Sequence, residues 1–80
     1  MIRPRTRREA REWRRYRRRI RFIMNRVSNP RGDIDRFLVS LRAASDRIGA
    51  LRDSMFDEHW RPRYPARRAL DTLLEGGPPQ

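Results

Sequence analysis

Between Trp13 and Met55 the large apolar residues recur at alternating steps of three and four, with one interruption at residues 28–33. Few folds tolerate that spacing, because only the 3.6-residue period of an α-helix brings such positions onto one face. Trp13, Tyr16, Ile20, Ile23 and Val27 form the first series, with Ala10 one step earlier and Met24 beside the line. Ile34, Phe37, Leu41, Ala44, Ile48, Leu51 and Met55 form the second. Each series is a heptad seam. Thr6 and Glu9 match the S/T-x-x-E capping box that opens a helix, and Asp33 is a good N-cap for the second. The intervening Ser-Asn-Pro-Arg-Gly-Asp carries the chemistry of a helix stop and a tight turn. Two matched seams joined by a short turn predict an antiparallel helical hairpin over about 6–28 and 33–60.

Pro62 and Pro65, in Trp-Arg-Pro-Arg-Tyr-Pro, are expected to end the second helix, and Pro65 suits the first turn of a short third helix over about 65–75. Ala66, Ala69, Leu70, Leu73 and Leu74 give it an apolar face, and Gly76 is placed as its stop. Leu38 and Phe56 lie to one side of the second seam, and the third helix is expected to cover them. Gly49 costs its helix about 1 kcal/mol relative to Ala, and beside Ala50 it suggests a close backbone approach. The expected fold is all-α: a single small domain over 1–80, with a basic arm at 1–5 and a flexible tail at 76–80. A chain of 80 residues draws only about 3–5 kcal/mol of net stability from its core.

Charge is distributed unevenly. Residues 1–21 hold eleven Arg against Glu9 and Glu12, for +9; residues 22–60 are neutral; residues 61–80 carry +2. A self-repelling basic segment is thus joined to a neutral body. All 21 basic residues are Arg and none is Lys. A GC-rich genome accounts for that bias most simply, and the functional reading is that Arg supplies a rigid five-donor fork suited to phosphate. On a helical wheel Arg7, Arg8, Arg11, Arg14, Arg15, Arg18 and Arg19 cluster opposite the apolar seam, with Arg21 and Arg26 extending the track. Phe22 falls among these cations, either as a surface residue or as a contact for something outside the hairpin. From Thr6 to Val27 such a helix would run roughly 33 Å, close to one turn of B-form DNA.

A solvated face is the ordinary meaning of a charge run, but solubility in a small domain needs a net charge of only about 2–8 with mixed signs. A phosphate track therefore fits the first helix better. Asn25 is the one amide side chain on that face and Gln occurs only as Gln80, so base readout has little support beside backbone contact. Arg61, Arg63, Arg67 and Arg68, near Trp60 and Tyr64, make a secondary basic group. The two aromatics are expected to pin the connecting loop onto the core rather than to stack on bases.

Catalysis and metal binding find little purchase in this sequence. His59 lies beside Asp57 and Glu58, but three adjacent residues point to different sides of a helix, and the chain contains no Cys and no second His. No metal, cofactor or catalytic residue is expected. A basic amphipathic helix can lie on an anionic membrane, but the second seam competes for the same apolar face. The leading expectation is a small, non-enzymatic, intracellular and soluble protein that binds nucleic acid, DNA or RNA, largely without sequence preference. Such parts occur in nucleoid, virion or ribonucleoprotein assemblies. The alternative is a protein–protein interaction module or virion subunit that docks its basic face on an acidic protein. The same seams could also pair two chains into a homodimer.

Overall fold

A computed structural model describes residues 3–27 and 31–74 of the chain. Among them are three α-helices: α1 (Arg7–Met24), α2 (Ile34–Met55) and α3 (Arg67–Leu74). Thr6 caps α1 from an extended backbone, and its hydroxyl accepts the Glu9 N–H at 3.1 Å. Glu9 returns the bond one residue earlier than a standard capping box, accepting the Arg5 N–H at 2.9 Å. Asp33 caps α2 through the Arg36 N–H at 3.2 Å.

Residues far apart in sequence fix the direction of the hairpin. Trp13 and Tyr16 place their rings 4.6 and 5.2 Å from that of Phe56, while Ile23 and Arg26 share a crevice with Ala43, Ala44 and Arg47. The start of α1 therefore meets the end of α2, and the two helices run antiparallel. The core is Tyr16, Ile23, Ala44, Leu51, Met55, Phe56 and Leu70, with Trp13, Ile20, Val27, Ile48, Trp60 and Leu74 packed around it.

That register explains where the expected seam fails. α1 stops at Met24, and residues 26 and 27 close with tighter turns, Arg26 N–H to Ile23 O and Val27 N–H to Met24 O, so the helix ends short of residue 28. In the first two turns of α2 only Phe37 and Ser40 are partly buried, Ser40 bordering the crevice at Ile23 and Arg26. Ile34, Leu38, Val39 and Leu41 are exposed. Ile34 and Leu41, expected to be sealed in the seam, are not. Leu38 is not covered by α3 either; of the pair assigned to it, only Phe56 is buried.

The second helix ends at Met55, well before Pro62. Phe56 turns to an extended conformation, and the chain folds back as a miniature hairpin: Arg63 N–H donates to Met55 O at 2.8 Å, Asp57 N–H donates to Arg61 O at 2.9 Å, and Phe56 bridges Pro62 in antiparallel fashion. The Asp57 carboxylate holds the turn by accepting the N–H groups of His59 at 2.8 Å and Arg61 at 2.9 Å. Trp60 takes a left-handed backbone with φ 62°, a conformation that costs a non-glycine residue about 1–2 kcal/mol. In return its ring stacks on Trp13 at 5.7 Å and receives the Arg52 guanidinium at 4.3 Å. The loop is pinned by its aromatics, as its sequence suggests.

α3 packs on α2 with Leu70 fully buried and Leu74 against the core, while Ala66 and Ala69 are exposed and contribute no apolar face. At Gly49 a Cβ would meet nothing within 4 Å, so no close backbone approach accounts for this glycine. The turn at 28–30, Gly76 and the tail at 76–80 lie outside the described residues.

Candidate nucleic-acid interface

Helix α1 separates its charges by sign. Both of its acids lie toward the packed side. Glu9 carries its carboxylate to the Arg5 amide and to Arg61 at 3.7 Å, and Glu12 is buried facing Arg15 at 3.4 Å. What remains on the far side is a cationic ridge. Arg7, Arg11, Arg14, Arg18 and Arg21, at steps of 4, 3, 4 and 3, are all exposed, and Arg17 flanks them, exposed as well. No ion pair or hydrogen bond holds any of these six guanidinium groups among the described residues. From Arg7 to Arg21 the ridge spans about 21 Å at 1.5 Å per residue.

The nine cations expected to form one track therefore divide. Arg7, Arg11, Arg14, Arg18 and Arg21 belong to the ridge. Arg15 and Arg19 turn instead toward α3: Arg15 donates to the Pro65 carbonyl at 2.9 Å, and Arg19 faces Asp71 at 3.6 Å with its side chain only 12% exposed. Arg8 stacks over the Tyr64 ring at 3.8 Å, and Arg26 lies over Phe22 at 4.6 Å. On a helical wheel Arg8, Arg15 and Arg19 fall away from the seam. The wheel could not show that α3 and its loop would occupy that flank. Arg17, which sequence reasoning left out, sits at the edge of the ridge; its position one step from Arg18 and four from Arg21 was the available signal.

Between α1 and α3 lies a cleft of about 360 Å³ lined by the inward Arg15 and Arg19, by Arg18 at the edge of the ridge, and by Phe22, Arg67 and Leu74. Its electrostatics are unbalanced. Glu12 faces Arg15 at 3.4 Å from the core side, and Asp71 bridges Arg19 at 3.6 Å and Arg67 at 3.8 Å, all long for charge-assisted bonds. The Nε–H groups of Arg15 and Arg19 are buried without a hydrogen-bond partner. Burial lowers the Arg19 pKa, the neighbouring Arg15 lowers it further, and Asp71 opposes the shift. Phe22, half-exposed, sits at the cleft's margin near Leu74.

The secondary basic group disperses in the same way. Arg61 pairs with Glu9, Arg63 donates its Nε–H to the Phe56 carbonyl at 3.1 Å, and Arg67 pairs with Asp71. Arg68 is exposed on α3. His59 approaches Glu58 at 3.3 Å on the exposed turn. Among the described residues no three His, Cys, Asp or Glu side chains gather as metal ligands, and no helix is long and apolar enough to cross a membrane.

Set against protein-family models, curated proteins and solved structures, the chain matches none of them.

Proposed function

We propose that this protein binds nucleic acid through the phosphate backbone, largely irrespective of sequence and without catalysing a reaction, using Arg7, Arg11, Arg14, Arg18 and Arg21 with Arg17 at their side. The observation that carries this reading is the unmixed ridge. Its six guanidinium groups are exposed and unpaired among the described residues, although two carboxylates on the same helix were available to neutralise them. A face kept merely for solubility has no reason to exclude acids. Aligned guanidinium forks at a spacing of one helical turn are instead suited to neutralising successive phosphates. The cleft at Arg15, Arg18, Arg19 and Arg67 supports the same reading, since an incoming phosphate would relieve its crowding of like charges.

Fluorescence anisotropy with two unrelated duplexes, repeated over a series of salt concentrations, tests the proposal. The expected result is similar affinity for both and a steep loss with salt, with a slope of about −5 in log K against log salt for six neutralised phosphates. A flat salt response contradicts it.

Phe22 favours a second reading. A half-exposed aromatic ring beside Leu74 and several cations offers an apolar anchor inside a basic rim, which suits an acidic protein segment as a docking partner. After nuclease treatment that reading predicts capture of one acidic partner, weakened by Phe22→Ala. The phosphate reading predicts co-purifying material absorbing at 260 nm that high salt removes.

A further inference from the structure

The apolar surface left uncovered on α2 is organised as a seam. Ile34, Leu38 and Leu41 are 67%, 54% and 36% exposed, and together with the exposed Ser45 they follow steps of 4, 3 and 4. This stripe lies beside the one that packs on α1, so α2 carries two adjacent seams and α1 fills one of them. Two features of the second seam specify its occupant.

The first is charge. Residues 33–47 balance Asp33, Asp35 and Asp46 against Arg36, Arg42 and Arg47, so this is a neutral apolar face on a chain of net charge +11. A second copy can approach here without meeting cation against cation. The second is the arrangement of that charge. With Ile34 and Leu41 at heptad position d and Leu38 and Ser45 at a, Asp35 and Arg42 both fall at e, on the same flank. In a parallel pair of helices e faces g, and the g positions here are Phe37 and Ala44, which offer no counter-charge. In an antiparallel pair e faces e, and with Leu38 layered on Leu41 of the other copy, Asp35 comes opposite Arg42 and Arg42 opposite Asp35. The stripe is complementary to itself in one orientation, as a two-fold interface must be.

We infer that the protein self-associates as an antiparallel homodimer through α2, with Ile34, Leu38 and Leu41 as the apolar seam and a reciprocal Asp35–Arg42 pair on its flank. The inference does not depend on nucleic-acid binding. A single helix pair covers less than the roughly 1,200–2,000 Å² typical of stable interfaces, so the dimer forms reversibly with concentration.

Sedimentation equilibrium or light scattering on the full chain, stripped of nucleic acid by nuclease and high salt, tests it. The expected result is a monomer–dimer equilibrium that Leu38→Glu abolishes with helicity unchanged, since Leu38 is 54% exposed and lies outside the buried core. Asp35→Arg and Arg42→Asp each weaken the dimer, and the double variant restores it because the pair is re-formed with signs exchanged. A chain that stays monomeric at every concentration, a Leu38→Glu variant that still dimerises, or a double variant no better than the singles overturns the inference.

Discussion

The Arg19 guanidinium lies 3.6 Å from the Asp71 carboxylate, tying the basic helix to the short third helix across the cleft. The same contact withdraws a cation from the surface and brings a negative charge into a cluster of positive ones. If the cleft receives phosphate, Asp71 is its internal competitor. Asp71→Asn should therefore strengthen binding to duplex or single strand several-fold, while costing well under about 1 kcal/mol of stability because the carboxylate is half-exposed. Parallel anisotropy and thermal melts measure both. Unchanged affinity would remove the cleft from the interface and leave the ridge alone.

The aromatic cluster at the open end of the hairpin, where the start of α1 meets the end of α2, is expected to carry a large part of the fold's stability. Phe56 is fully buried between the rings of Trp13, Tyr16 and Trp60. Phe56→Ala should cost about 3–5 kcal/mol, comparable with the whole net stability of so small a core, and should abolish the cooperative melt. Phe22→Ala, at a half-exposed site, should cost roughly 1 kcal/mol and leave it intact. Circular dichroism during heating separates the two.

Gly49 lies in the interior of α2 with open space where a Cβ would stand. Gly49→Ala should stabilise the chain by about 0.5–1 kcal/mol by restricting the unfolded backbone and favouring helix. A denaturant titration showing a higher midpoint with unchanged slope is the expected result.

Asp57 makes the loop sensitive to acid. Its carboxyl is held below the ordinary carboxylate value, chiefly by the Arg61 N–H and also by the His59 N–H and the nearby His59 and Arg63 charges, against a smaller opposing effect of burial. A depressed native pKa contributes stability that is fully present above the unfolded-state value and is lost as pH falls through the lowered native value. Unfolding measured from neutral pH downward should show that loss in the wild type. Asp57→Asn, whose amide oxygen can still accept both N–H groups, should show a smaller decline over the same range.

The parts of this architecture that rest on local chemistry are legible in the sequence. The Thr6 and Asp33 caps and the helical period follow from residues near one another in the chain, and the antiparallel pairing from two matched seams joined by a short turn. What escapes is set by register and by distant contacts. Nothing near Leu38 indicates that α1 ends at Met24 and that Ile34, Leu38 and Leu41 stay exposed on α2. Likewise, the positions of Arg15 and Arg19 on a wheel do not reveal that Pro65 and Asp71, some fifty residues away, will face them. Trp60 adopts a positive φ that no residue preference announces, because its aromatic contacts outweigh the local strain. The cationic ridge itself is visible in sequence, although α3 and its loop decide which of the cations remain open.

The salt dependence of binding by a ridge variant tests the central claim most directly. Arg11→Gln, Arg14→Gln and Arg18→Gln together leave the core and the caps untouched, so the variant should fold as the parent does. On any duplex its slope of log K against log salt should be shallower than the parent's by about 2.7, the contribution of three phosphates, with affinity reduced alike for unrelated sequences. A variant that keeps the parent's slope and affinity would contradict the account, because the exposed face of α1 would then not be the surface that meets phosphate.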